Sequence, residues 1–131
     1  MADELAGKVA LVTGASKNIG KGIALEVGAS GAITYLTART VEDVPGQLAS
    51  LARTAAEIEA LGGTAIPVAC DHTDDAQVAA VFDRIKAEQG HLDVVVNVAS
   101  PDFSEMVGVP FWDLPFPVSY THLTLPTILL V

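Results

Sequence analysis

Residues 9–22 read Val-Ala-Leu-Val-Thr-Gly-Ala-Ser-Lys-Asn-Ile-Gly-Lys-Gly, and this stretch decides the fold. The apolar run 9–12 is typical of a buried strand, and the small residues after Thr13 indicate a tight turn into a helix. The first backbone N–H groups of a helix have no partner within it, and the helix dipole is positive at that end. The stretch therefore predicts a site for an anion such as a pyrophosphate.

Apolar runs of strand length alternate with helical patterns from residue 8 to residue 97. Strands are predicted at 8–13, 32–37, 64–69 and 92–97, and helices at 19–30, from Pro45-Gly46 to about 61, and from the acidic cluster 71–75 to about 90. Strand–helix–strand units of these lengths form right-handed crossovers within a parallel sheet. The predicted fold class is α/β: a Rossmann-like doubly wound parallel sheet, incomplete, with about four strands and helices on both faces.

Each predicted helix carries apolar residues at helical spacing, which we expect to pack on the sheet. These residues are Ile19, Ile23 and Val27 on the first helix, Leu48, Leu51, Ala52, Ala55, Ile58 and Leu61 on the second, and Val78, Val81, Phe82 and Ile85 on the third. Ligands of such sheets bind beyond the carboxyl ends of the strands. The candidate site therefore consists of the segments 13–20, 37–39, 70–72 and 97–100.

Composition excludes several classes of function. The chain has 131 residues, of which 50% are apolar and 18% charged, and its net charge is −9. An acidic chain is not expected to bind nucleic acid or an anionic membrane. The single cysteine, Cys70, excludes an internal disulfide, and three histidines without ligand spacing argue against a metal site. With no signal sequence and no long apolar stretch, a cytoplasmic protein that does not enter membranes is expected.

The glycine turn resembles the cofactor-binding turn of the short-chain dehydrogenases/reductases, whose pattern is T-G-x-x-x-G-x-G. Gly14 and Gly20 match this pattern, while Asn18 stands at the middle glycine. Asn tolerates left-handed backbone better than other non-glycine residues, so the turn is expected to survive the change. The resemblance covers about 7–97 and implies an oxidoreductase that interconverts alcohols and carbonyl compounds with a nicotinamide dinucleotide. It places Gly14, Ser16, Lys17, Asn18, Ile19 and Gly20 at the cofactor.

The end of the second strand bears on the choice of cofactor. A carboxylate there would bind the adenosine ribose and repel a 2′-phosphate, but this chain has Ala38 followed by Arg39. Arg39 and Lys17 are two cations that would flank a 2′-phosphate. The resemblance therefore implies NADP, with NAD less favoured. The alternative is that both residues are ordinary surface charges.

Two further segments resemble cofactor contacts of the family. Asp71 matches the aspartate that contacts the adenine amino group, and His72 beside it is expected to contribute its backbone N–H. Asn97 and Ala99 match two residues of the N-N-A-G stretch, which runs along the cofactor ribose. The alternatives are a helix-capping role for Asp71, which Asp74 and Asp75 would already fill, and plain loop placement for Asn97.

No catalytic residue is assigned. The family uses Tyr-x-x-x-Lys on a later helix, with both side chains on one helical face. Tyr35 lies in a predicted strand, Tyr120 is followed by Thr124 at the lysine position, and no lysine occurs after Lys86. The chain is therefore expected to be a fragment with the cofactor-binding part only, inactive by itself. In its full-length form it is expected to be a homo-oligomer that binds a small alcohol or carbonyl substrate.

Two domains are predicted, an incomplete NAD(P)-binding domain at 1–113 and an irregular tail at 114–131. The tail has no Lys, Arg, Asp or Glu, and its prolines at 115, 117 and 126 oppose a regular helix or a central strand. Residues 118–127 resemble translated adapter sequence, which predicts a non-native tail. The alternative is a natural tail that packs on the sheet edge.

Two other interpretations of the chain are considered. A non-catalytic dinucleotide-binding module is the main alternative to an enzyme. A methyltransferase-like sheet is less favoured because Ala38 stands where an acid would contact a ribose. Phe111-Trp112 resembles an element that follows the fourth strand in one group of short-chain dehydrogenases. Cys70 is expected to be a core residue and His91 an exposed one.

Overall fold

The computed structural model describes residues 3–100 and 107–113. Its elements are β1 (Val9–Thr13), α1 (Asn18–Ala29), β2 (Ile33–Ala38), α2 (Leu51–Ala60), β3 (Thr64–Ala69), α3 (Asp75–Gln89), β4 (Val94–Asn97) and a 3-10 helix at Phe111–Asp113. The four predicted strands and three predicted helices are therefore all present. The predicted tail at 114–131 lies outside the described residues.

The four strands form one parallel sheet in the order β3-β2-β1-β4. β1 is the central strand, since it pairs with both β2 and β4. Residues 9–13 of β1 are fully buried, as expected for a parallel strand covered on both faces. The predicted Rossmann-like α/β fold is confirmed.

Helices cover both faces of the sheet and create two cores. On one face α3 contributes Val78, Val81 and Ile85, and on the other α1 and α2 contribute Ala24, Leu51, Ala55 and Ile58. β1 supplies both cores, because Leu11 points to the α3 face and Val12 to the opposite face. Phe82 is partly buried and packs against the α3 core.

The buried face of α1 differs from the face that the sequence predicts. Its buried residues are Gly20, Ala24 and Gly28, whereas Ile19 is 72% exposed. A Cβ on Gly28 would lie 2.5 Å from Cγ2 of Ile58, so α1 approaches α2 too closely for large side chains. The prediction that Ile19 packs on the sheet was wrong, because the neighbouring Gly20 is the first-turn residue that packs against the rest of the protein.

The second helix begins later than expected. Ser50 is the N-cap of α2, and its Oγ accepts a hydrogen bond from the Arg53 N–H at 3.2 Å. The Ser50 hydroxyl donates to Asp43, which also accepts from Nε of Arg53. Leu48 precedes the cap and is 86% exposed, so its predicted place on the buried face was wrong.

The third helix has the predicted caps, while β4 is shorter than predicted. Asp74 caps α3 by accepting from the N–H groups of residues 76 and 77, and Gly90 ends the helix with φ +77°. β4 begins at Val94 rather than at residue 92. The carboxylate of Asp93 accepts the Val9 N–H at 2.8 Å, so a side chain takes the bond that a longer strand would make.

Candidate functional site

A row of polar residues crosses the sheet at its carboxyl edge. Thr13 of β1 is in register with Thr37 of β2 and with Asn97 of β4. The row two residues earlier consists of Leu11, Tyr35 and Val95, which all belong to the α3 core. The same face of the sheet therefore changes from apolar to polar where the predicted site begins.

Thr13 connects the end of β1 to the segment after β4. Its buried hydroxyl donates to Oδ1 of Asn97 at 3.0 Å and accepts from the N–H groups of Val98 and Ala99, each at 3.0 Å. Asn97 and Ala99, both predicted site residues, are thereby held beside the glycine turn. Sequence reasoning missed this role of Thr13, although the residue opens the T-G-x-x-x-G-x-G pattern.

The glycine turn is built so tightly that it excludes a Cβ at two positions. Gly14 has φ +66°, and a Cβ there would lie 2.9 Å from the Ala99 nitrogen. A Cβ on Gly20 would lie 2.0 Å from the Gly14 carbonyl oxygen. Both positions therefore require glycine. Asn18 has φ +53°, so it adopts the left-handed backbone that was expected of it.

The beginning of α1 faces outward at this turn. Lys17 is the N-cap residue, and its side chain makes no capping hydrogen bond within the described part of the chain. The first turn, 18–21, carries no acidic residue. Lys17, Asn18 and Ile19 are exposed, while Ser16 is half-buried. This end of the helix keeps its positive electrostatic character and its backbone donors for an anion.

The turn is supported from beneath by β2 and α2. The buried Ala15 donates its N–H to the Thr37 carbonyl at 3.1 Å, and its own carbonyl accepts from the Thr54 hydroxyl at 2.9 Å. Thr54 lies on α2 and is fully buried. Sequence reasoning missed it, since a threonine inside a helix carries no signal of a contact 39 residues away.

Arg39 and Asp71 lie at the ends of the two neighbouring strands. Arg39 is exposed and forms no ion pair with any residue that the structure describes. Asp71 Oδ1 accepts from the Thr73 N–H at 3.0 Å and from the Thr73 hydroxyl at 2.7 Å. These two bonds, aided by the positive charge of Arg39, hold the pKa of Asp71 below its usual range. Asp71 is therefore a carboxylate at neutral pH.

Asp71 is not needed to cap the following helix. Asp74 caps α3 and Asp75 lies in its first turn, as the sequence predicts. The backbone N–H of Asp71 donates to the Gln77 side chain at 2.8 Å, which holds the segment against α3. Asp74 and Asp75 thus already fill the capping role that was the alternative for Asp71.

The imidazole of His72 makes a side-chain contact that the sequence did not predict. Its Nε2 lies 2.8 Å from the Thr37 hydroxyl oxygen. Burial lowers the pKa of His72, and the nearby Asp71 carboxylate opposes that effect. The ring is neutral at pH 7 and is fixed at the end of β2.

Within residues 3–100 and 107–113, the remaining reactive groups do not form a second site. Cys70 is 1% exposed, and burial raises the pKa of its thiol to about 11, so it is a core residue as predicted. His91 is exposed and its Nε2 lies 3.2 Å from Asp93. Among the described residues, no cluster of His, Cys, Asp and Glu is arranged to hold a metal ion. No helix in the same residues is both long and apolar enough to span a bilayer.

Comparison with known proteins points to one family. The family model described as short chain dehydrogenase matches residues 8–114. Dehydrogenase/reductase SDR family member 1 of Mus musculus is 38% identical over 119 residues, which cover 88% of this chain and 36% of the mouse protein. Hydroxysteroid dehydrogenase-like protein 2 of Homo sapiens is 40% identical over 96 residues, 73% of this chain and 23% of the human protein.

Solved structures agree with this result. A metagenomic short-chain oxidoreductase, crystallised in complex with NADP, aligns with a TM-score of 0.77 at 36% identity, covering 96% of this chain and 54% of that one. A short-chain type dehydrogenase/reductase of Mycobacterium marinum aligns with a TM-score of 0.72 at 33% identity, covering 96% of this chain and 48% of that one. The chain spans 36% and 23% of the length of the two curated relatives above.

Proposed function

Because the chain belongs to the short-chain dehydrogenase family, we propose that it forms the NADP-binding part of an oxidoreductase that interconverts alcohols and carbonyl compounds. The observation that carries the proposal is the glycine turn beside an uncapped helix end. A Cβ on Gly20 would lie 2.0 Å from the Gly14 carbonyl oxygen, so no side chain fits between these two parts of the turn. Backbone N–H groups and a helix N-terminus are the donors that a pyrophosphate requires.

The residues around the turn suit the other groups of the cofactor. The N–H groups at Ser16, Asn18 and Ile19 would face the phosphates, and Gly14 and Gly20 would allow their close approach. Asp71 and the backbone of His72 would contact the adenine, while Asn97 and Ala99 would line the ribose. The nicotinamide ring, when bound, would supply or accept the hydride.

The charges at the adenosine end favour NADP over NAD. Arg39 is exposed and unpaired within the described residues, and no carboxylate stands at Ala38. A guanidinium binds a phosphate dianion through two parallel hydrogen bonds. The related metagenomic enzyme was crystallised with NADP at 36% identity, which is consistent with this preference.

We propose that the 131-residue chain does not catalyse the reaction alone, since it has no Tyr-x-x-x-Lys pair. A non-catalytic dinucleotide-binding module is the second candidate, and it rests on the same observation. A Tyr-x-x-x-Lys helix encoded downstream of residue 113 in an intact genomic copy would favour the enzyme. Homo-oligomerisation of a longer form and a cytoplasmic location stay predictions from the sequence.

Fluorescence titration of the purified chain with NADPH and NADH tests the cofactor. We expect tighter binding of NADPH, and a loss of about tenfold or more on Arg39→Ala with little change for NADH. Arg84→Ala is the matched control, because it removes the same side chain from the far part of α3. Equal affinity for the two cofactors before and after Arg39→Ala would refute the 2′-phosphate contact. A folded chain that binds neither would refute the cofactor proposal as a whole.

A further inference from the structure

Thr37 contacts two parts of the site at once. It is the second-last residue of β2 and is fully buried. Its carbonyl accepts the Ala15 N–H of the glycine turn at 3.1 Å, and its hydroxyl lies 2.8 Å from Nε2 of His72. One residue therefore joins the phosphate turn to the segment after β3.

The backbone holds the position of this segment but not the orientation of its imidazole. Cys70 donates its N–H to the Ala38 carbonyl at 3.0 Å, and Asp71 donates its N–H to Gln77 at 2.8 Å. Neither bond restrains the ring of His72. The Thr37 hydroxyl does so in either tautomer, because a hydroxyl can both donate and accept.

The groups around the ring define its electrostatic setting. Asp71 is ionised beside His72, and Arg39 lies close enough to act on Asp71. Thr37 itself is uncharged and belongs to the polar row at the carboxyl edge. The hydrogen bond of the ring within the described residues is the one to the buried Thr37 hydroxyl, so this bond sets where its Nε2 lies.

We propose that Thr37 is a positioning residue for the adenosine half of the dinucleotide. Its hydroxyl orients the His72 imidazole while its carbonyl holds the phosphate turn, so both subsites keep a constant spacing. This inference rests on the proposed function, because it assigns a role within the same cofactor site. His72 thereby contributes its side chain in addition to the expected backbone N–H.

Thr37→Val tests the inference, since valine keeps the shape and removes the hydroxyl. We expect binding of 2′,5′-ADP, which carries only the adenosine half, to weaken about tenfold, and Thr37→Ser to restore it. The NMR signals of the His72 ring and its pKa should change in Thr37→Val and return in Thr37→Ser. These signals test the contact with the ring, and the 2′,5′-ADP affinity tests whether that contact serves binding.

Thr34→Val is the matched control. Thr34 is a fully buried threonine of the same strand, and its hydroxyl donates a hydrogen bond to the Ala32 carbonyl at 3.3 Å. The control should bind 2′,5′-ADP like the wild type. Should Thr37→Val fail to fold, His72→Phe keeps a ring without the hydrogen bond and should show the same tenfold loss.

The outcomes separate this inference from the proposed function. Wild-type protein that binds neither NADPH nor 2′,5′-ADP would overturn both. Wild-type protein that binds, with Thr37→Val or His72→Phe binding equally well, would overturn the positioning role alone. Selective loss in these variants, with Thr34→Val unaffected, would establish it.

Discussion

The glycine turn and the polar edge at Arg39, Asp71 and His72 lie side by side at the carboxyl ends of the strands but are built in different ways. The turn is formed by backbone, and Gly14 and Gly20 matter because they have no side chain. The edge is formed by the side chains of Arg39, Asp71 and His72, of which Asp71 and His72 are held by hydrogen bonds to threonines. Adding atoms to the turn should therefore disrupt its structure. Removing a functional group from the edge should weaken binding there.

Gly20→Ala should have the largest effect. The new Cβ would overlap the Gly14 carbonyl oxygen, which is backbone and cannot rotate away. We expect a loss of about 3 kcal/mol or more in the free energy of unfolding, measured by urea denaturation, together with loss of NADPH binding.

Gly22→Ala is the matched control for that substitution. Gly22 lies two residues later in α1, and a Cβ there meets no atom of the described chain within 4 Å. We expect this variant to gain about 0.5–1 kcal/mol of stability, since alanine favours a helix interior. Similar losses in both variants would show that the turn is no tighter than the rest of the helix.

Thr13→Val should have the next largest effect. The change removes the donor to Asn97 and leaves the N–H groups of Val98 and Ala99 without their acceptor. An unsatisfied donor costs about 1–3 kcal/mol when buried, and these two are partly buried, so we expect a total loss of about 2–4 kcal/mol in denaturant unfolding. Thr13→Ser keeps the hydroxyl and should lose less than half as much; an equal loss would assign the effect to packing.

Asn18→Ala should cost about 1 kcal/mol of stability. Asn18 has φ +53°, and alanine lacks the short polar side chain that eases a left-handed backbone. Asn18→Gly should be as stable as the wild type within about 0.5 kcal/mol and should bind NADPH equally well. Thermal unfolding of the three proteins compares them, and an unaffected Asn18→Ala would contradict a left-handed residue 18.

The smallest expected effect is the pH dependence of the free energy of unfolding, which we attribute to His72 at the edge. Burial lowers the pKa of His72, so the folded state binds fewer protons than the unfolded state once the pH falls below about 6.5. Stability therefore decreases with falling pH, by at most about 1 kcal/mol between pH 6.5 and 5.5. His72→Gln should flatten this part of the profile in denaturant unfolding; an unchanged slope would assign it to other groups.

The sequence predicts the strands and the glycine turn well because both depend on local rules. β3 agrees with its predicted bounds, β1 and β2 agree to within one residue, and Asn18 adopts the expected backbone. Strand runs that are apolar on both faces and a turn of small residues carry their signal within a few positions.

The departures come from contacts between distant residues. The start of α2 depends on the bonds of Ser50 with Asp43 and Arg53, and helical spacing before the cap does not reveal them. The buried face of α1 is set by Gly20 against Gly14 and by Gly28 against Ile58, and this face leaves Ile19 exposed. At the site, the contact between Thr37 and His72 joins residues 35 positions apart, and no motif encodes it.

The unfilled beginning of α1 has a consequence for protein engineering. A screen that selects only for heat resistance would favour serine or aspartate in place of Lys17, because either residue caps a helix on its own. The side chain of either residue would accept hydrogen bonds from the backbone N–H groups that the Lys17 side chain does not cap. Aspartate would also repel an incoming anion. Stabilisation of this fold is thus best sought at positions such as Gly22, which lies beyond the first turn of the helix.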